Sequence, residues 1–302
     1  MKSRLSPWQR KRLSEAGTAY GFLSLWLIGL FTFTLWPFAH SIHLAFTNYS
    51  FDPTYEYVGF ANFIRGFTDG LSLTSMNVTA RFAIVSVPLR LAVALFVAVL
   101  LNKGIRGLGI YRTVYYIPSL VGSGVAVAIM WRRIFGRRGL FNNVIALFGL
   151  QGQDWIANPD TARFMLVLLS AWQFGSAMLI FLAALKQVPQ EMYESAEIDG
   201  AGVVRQFFGI TVPLISPVIF FNLTMNIINA FQVFTQAKII TNGGPMNETM
   251  FMVLNIYNQA FRFGNMGYAS ALSWILLLII ATFTAINFVS SRYWVYYETR
   301  MK

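Results

Sequence analysis

An all-α membrane protein with six transmembrane helices is the fold class this sequence predicts, and three observations predict it. Of its 302 residues 56% are hydrophobic and only 12% are charged, about half the charged share of soluble domains. Apolar stretches recur six times at a length that crosses the bilayer, for which a helix needs about 20 residues. The formal net charge is +11, and in such a chain Lys and Arg gather in cytoplasmic segments beside anionic lipid, so membrane lipid and no nucleic acid is the expected partner. With no cysteine in the chain, disulfides, thiolate metal sites and thiol nucleophiles are excluded.

The first 16 residues form a basic cytoplasmic head, with Lys2, Arg4, Arg10, Lys11 and Arg12 ahead of the first apolar run at 17–38. A cleaved signal peptide has an apolar region of about 7–15 residues, so this longer run is read as a retained first span. Further spans are predicted at 78–101, 111–130, 164–185, 214–236 and 268–291. Residues 17–292 then form one transmembrane domain, and 293–302 a cytoplasmic tail. An even number of spans puts both termini on one side, and the basic head assigns that side to the cytoplasm. Lys and Arg support this by thirteen inside to nine outside. The margin is narrow because Arg132, Arg133, Arg137 and Arg138 all fall in the third-to-fourth loop, placed outside.

Within the spans, polar residues are few and informative. Arg90 is the only ionisable residue far from both ends of its span; it must face the bundle interior, find a partner or snorkel to an interface, and it is a functional-site candidate by default. Trp172 and Gln173 sit side by side midway along the fourth span, a pair that suits a sugar, by stacking and hydrogen bonding, and suits plain packing equally. In the fifth span Asn222, Asn226, Asn229 and Gln236 fall on one helical face, flanked by Thr224 and Gln232. An amide facing lipid goes unsatisfied, so this face looks into protein or water. Two readings stay open: a lining for a polar, uncharged solute, or hydrogen-bonded glue between helices.

Between the fourth and fifth spans lies the one acidic interruption of the hydrophobic half, at 186–213. Pro189 and Glu191 favour a helix start, Asp199-Gly200-Ala201-Gly202 breaks that helix because glycine turns through positive φ, and a second short helix runs to Phe208, with Thr211 capping the next segment and Pro213 in its first turn. The pattern is helix, turn, helix. Glu194-Ser195-Ala196, Gly200 and Ile210-Thr211-Val212-Pro213 keep the spacing of the EAA loop, and the stretch resembles that loop in permease subunits of binding-protein-dependent ABC importers of the maltose and glycerol-phosphate type. Ser195 and Val212 depart from its pattern, both conservatively.

The resemblance extends to three outer phrases: Val58-Gly59-Phe60-Ala61-Asn62-Phe63; Thr241-Asn242-Gly243-Gly244-Pro245; and Ile256-Tyr257-Asn258-Gln259-Ala260-Phe261 with Gly267-Tyr268-Ala269-Ser270-Ala271. It implies a type I ABC importer permease fold. It further implies that Tyr193, Glu194, Ser195, Ala196, Asp199, Gly200, Ala201 and Phe207 couple to an ATPase; Trp172, Gln173, Asn222, Asn226, Asn229 and Gln232 are the candidate pathway lining on the residue reading above, with packing between helices as the alternative. The implied partners are a second, related but different permease, two ATPase subunits that use ATP and Mg, and an extracytoplasmic sugar-binding protein. The implied location is the inner membrane of a prokaryote.

The chain has no Gly-x-x-x-x-Gly-Lys-[Ser/Thr] and no carboxylate within a span, so energy must come from a partner and an enzyme lacks its parts. No cofactor or metal is expected in the chain itself. The competing expectation is an ion-coupled secondary transporter or channel for a small polar solute; such carriers bury acids or histidines and break helices at the midplane, and neither feature is evident in the sequence.

Overall fold

The computed structural model describes residues 7–52, 54–103, 107–122 and 124–297. Lys2, Arg4, Gly104, Arg106, Arg300 and Lys302 lie outside the described residues, as does the tail beyond residue 297.

The first span is one rod, α1 (Pro7–Leu30) and α2 (Trp36–Ala45), joined by a π-helical turn at Phe31–Leu35. Phe22, Leu25 and Phe33 stand exposed along it, an apolar face that suits lipid or an apolar partner surface. After α3 (Ala61–Thr68), α4 (Gly70–Asn102) begins where the Asp69 carboxylate accepts the Ser72 N–H at 2.9 Å, well ahead of the predicted start at residue 78. Small buried residues, Ser72, Ser75, Thr79, Ala94 and Ala98, let neighbours approach α4 closely. It forms the centre of the molecule, packed against α8 (Pro159–Trp172), α9 (Gly175–Leu185) and α12 (Val212–Phe231).

Two predicted spans are broken. The third comprises α5 (Leu108–Val121), which turns by 96° into the body that carries α6 (Val125–Phe135) and α7 (Leu140–Ala146). Pro118, Gly122 and the extended Gly124 (φ −75°, ψ 153°) account for it. The fourth bends by 41° between α8 and α9. These breaks correct the expectation of uninterrupted helices. With the two bent pairs each counted as a span, the described residues hold six bodies long and apolar enough to cross a membrane.

The loop between the fourth and fifth spans contains α10 (Gln190–Ile198) and α11 (Val203–Gln206), and the segment after the fifth contains α13 (Met252–Tyr257), leading to α14 (Met266–Trp294). The outer phrases act as staples. Asn62 donates to the Ala45 and Thr47 carbonyls at 3.0 and 2.8 Å, closing the end of α2. At the same junction the Gly267 N–H reaches Tyr49 O at 2.9 Å, and a Cβ on Gly267 would strike the Thr47 carbonyl. The Thr249 hydroxyl lies 2.7 Å from both Thr241 Oγ1 and Gly244 O, tying off the glycine-rich turn.

Candidate functional site

Three helix interruptions meet around one cavity of about 420 Å³, within the roughly 300–1,000 Å³ typical of small-ligand sites. Arg90, Ser119, Gln173, Asn229, Gln232 and Gln236 supply most of its polar wall, and Phe82, Leu166 and Leu169 part of its apolar wall. The first interruption is at Gly122, the second at Gln173–Phe174; at the third, α12 ends at Phe231 and the chain is non-helical through Phe234. Backbone freed inside a bilayer is tolerated only where protein or a water-filled cavity satisfies it. Here the breaks satisfy each other. Gln173 Nε2 donates to Gly122 O at 2.9 Å, while the Ser119 hydroxyl donates to Gln173 O at 2.9 Å and accepts the Ser176 N–H at 3.1 Å. This contact depends on Gly175, where a Cβ would lie 2.5 Å from Tyr115 O and 2.9 Å from Ser119 Oγ.

Of the residues predicted to line the pathway, the cavity brings together Gln173, Asn229 and Gln232. Trp172 instead packs beside Trp131, ring centres 5.8 Å apart. Asn222 and Asn226 are buried and spend their amides on their own helix, donating to Val218 O at 3.2 Å and Asn222 O at 2.8 Å. The expected amide face therefore does not run unbroken to Gln236, because α12 stops at Phe231. Hydrogen-bonded glue between helices does exist nearby, through a neighbour: Asn287 Nδ2 of α14 donates to Thr224 Oγ1 at 2.8 Å. Ser119 escaped the sequence reading, although Pro118 and the glycines of Gly122-Ser123-Gly124 mark a breaker within a span.

At the other end of α12 is the acidic loop. Pro189 is extended (φ −62°, ψ 131°) and precedes the first helical residue of α10 instead of occupying it. Gly200, at φ +75°, ends that helix with two return bonds, Gly200 N–H to Glu197 O at 2.9 Å and Ala201 N–H to Ala196 O at 2.8 Å, the Schellman arrangement that favours glycine. The predicted second short helix is not separate. From Val203 to Phe231 the chain is one helical body, because a π-helical turn at Phe207–Thr211 shifts the bonding register just ahead of Pro213, which lacks an N–H. Thr211 is accordingly helical and caps nothing; its hydroxyl instead pairs with the Tyr193 hydroxyl at 2.8 Å, fastening α10 to the span.

Glu194, Ser195, Asp199 and Gly200 are exposed on this loop, with Tyr193, Ala196, Ala201 and Phe207 half-buried beneath. Beside them stand apolar side chains that the sequence reading had not singled out: Ile198 is 88% exposed, Val203 78% and Phe208 67%. Val203, Val204, Arg205 and Phe208 border a shallow concavity. Large apolar residues clustered on a polar loop mark an interaction surface.

Comparison with known proteins places this architecture. Residues 86–302 match the family described as "Binding-protein-dependent transport system inner membrane component". The chain is 46% identical over 285 residues to the probable ABC transporter permease protein YesP of Bacillus subtilis (strain 168), covering 93% of this chain and 92% of that one. It is 36% identical over 262 residues to the sn-glycerol-3-phosphate transport system permease protein UgpA of Yersinia pestis bv. Antiqua (strain Antiqua), covering 85% and 88%. Identity to the lactose transport system permease protein LacF of Rhizobium radiobacter is 31% over 244 residues, covering 78% and 82%. The fold is that of a bacterial ABC transporter involved in the import of alginate, with a TM-score of 0.81 over 93% of this chain and 97% of that one at 19% identity. With the type I importer fold and a family match across most of its length, the chain belongs to the inner membrane components of binding-protein-dependent ABC transport systems, as a permease subunit.

Proposed function

We propose that this chain is the permease through which a sugar or oligosaccharide, handed over by an extracytoplasmic binding protein, crosses the inner membrane of a prokaryotic cell. One observation carries the reading: a single helical body, Val203–Phe231, has the exposed apolar loop at one end and the cavity-lining Asn229 near the other. At 1.5 Å rise per residue such a body is on the order of 40 Å long. A partner that moves the loop therefore moves the cavity wall, which is what alternating access requires. That partner is one of two ATPase subunits, which bind ATP and Mg, since this chain has no phosphate-binding loop. A second, related permease completes the pathway, and both termini lie in the cytoplasm. Cavity amides and hydroxyls that both donate and accept suit a solute rich in hydroxyls. The relatives named for glycerol phosphate and lactose transport point the same way.

The test is ATP hydrolysis by the complete transporter in lipid, with its binding protein, over a panel of sugars. A subset of saccharides should stimulate hydrolysis and accumulate inside vesicles. Uptake driven by a proton or sodium gradient without ATP would overturn the reading in favour of an ion-coupled carrier.

A further inference from the structure

We infer that the cavity is built to hold an anionic saccharide, with Arg90 recognising a carboxylate or phosphate carried on the sugar; this rests on the reading of the cavity as the substrate pathway. Arg90 lies inside the second span and lines the cavity together with Ser119, Gln173, Asn229 and Gln232. Its Nε is buried without a hydrogen-bond partner. Among the described residues the ion pairs are Lys11–Glu15 and Arg163–Glu248, and no carboxylate among them pairs with Arg90. An uncompensated guanidinium at that depth is costly, and such residues persist where they serve a pathway or a ligand. The Arg112 Nε is also buried and unpartnered, but Arg112 sits in the first turns of α5 and does not line this cavity. Arg90 is the charge that meets the amides.

A second positive concavity adjoins this one through the chain. Gln236 of the cavity leads directly into the helical turn Ala237–Thr241, whose Ile239 carbonyl accepts a hydrogen bond from Arg132 Nη1 at 3.3 Å. There Arg132, Arg133, Arg137 and Arg138 surround a hollow of about 490 Å³. No acidic residue lines either hollow. Two adjacent recesses lined by one sign of charge concentrate an ion of the opposite sign and repel its rivals. A guanidinium fork matches carboxylate or phosphate with two parallel bonds, while the side-chain amides of Asn229, Gln232 and Gln236, not engaged in holding the helix breaks, face the sugar hydroxyls.

The experiment uses the complete transporter in proteoliposomes with three probes: a uronic-acid disaccharide, a disaccharide phosphate, and the neutral disaccharide made by reducing the uronic carboxyl groups. The wild type should import one of the two anionic probes in preference to the neutral one, and which probe succeeds identifies the anion. Arg90→Gln should raise the KM for that probe about tenfold or more and narrow the gap to the neutral probe. Arg90→Lys should fall between. Equal import of charged and neutral probes by the wild type, or an equal loss of both in Arg90→Gln, would overturn the proposal while leaving sugar import standing. Should Arg90→Gln fail to assemble, the wild-type preference decides alone. A complex that hydrolyses ATP yet imports no saccharide of any charge would overturn the transport reading beneath it.

Discussion

Replacing Gly200 with valine isolates the contribution of one backbone angle to coupling. Gly200 adopts φ +75°, and a Cβ built there meets no atom within 4 Å, so no clash contributes. The penalty is conformational: a residue with a Cβ in the left-handed region costs roughly 1–2 kcal/mol, and valine more than most because it is β-branched. A penalty of that size lowers the equilibrium constant for the native turn about 5–30-fold. The membrane helices do not depend on the turn, being held by their own packing. Yield of the permease in the membrane should therefore stay normal, while co-purification of the ATPase and substrate-stimulated hydrolysis fall by up to that factor. Gly200→Asn should restore most of the loss, since asparagine tolerates this region. Gly202→Ala, at φ −69° with nothing within 4 Å of the added Cβ, should be silent. If valine at position 200 coupled normally, or asparagine did as badly as valine, the turn would not be the coupling element.

Four further outcomes are expected. Tyr193→Phe removes the bond to Thr211, worth about 0.5–1.5 kcal/mol, and should weaken ATPase docking by at most about tenfold without altering the affinity for sugar. Gly175→Val forces α9 away from Tyr115 and Ser119; this overpacking should cost about 1–3 kcal/mol, seen as earlier loss of folded permease on heating. Asn229→Leu should abolish uptake with assembly and basal hydrolysis intact, whereas Asn226→Leu, which only removes an amide bonded within its own helix, should spare uptake; the reverse pattern would shift the pathway deeper into α12. For topology, single cysteines at Asn247 and Leu147, both exposed, should label with an impermeant thiol reagent from outside intact cells, and one at Val204 should not; Asn142 is a poor probe because its amide is bound to Gln153 O at 2.7 Å and to the Trp155 indole.

How much of this was legible depended on whether the physics was local. The spans were, because the length of an apolar run is a property of the run itself. The turn at Gly200 was too, since glycine alone adopts it freely and Ala196 and Glu197 lie in register to accept the return bonds. The break at Gln173 was not: it leaves hydropathy unchanged and is held by Ser119 and Gly122, far away in sequence. The merging of the loop's second short helix into α12 was hidden for a related reason, as a π-helical turn before Pro213 changes bonding register without any distinctive composition. Helical periodicity put Asn222, Asn226 and Asn229 on one face, yet a face can end in a helix's own carbonyls or in a cavity, and only the packing distinguishes these.

The same division bears on where selectivity resides. The outer phrases by which the chain resembles its family turn out to be fasteners: Asn62 closes α2, Gly267 admits the Thr47 carbonyl, and Thr249 ties down the turn at Gly243–Gly244. They fix the scaffold and touch none of the cavity. The groups that do face the cavity, Arg90, Asn229, Gln232 and Gln236, fall outside every one of those phrases. A fold held by fasteners at one set of positions leaves the cavity wall free to differ in charge and hydrogen-bonding pattern without loss of architecture, which is how one scaffold serves many solutes. It follows that resemblance in the phrases carries the fold, and that the solute must be read from the wall, where Arg90, its Nε buried without a partner, is the dominant feature.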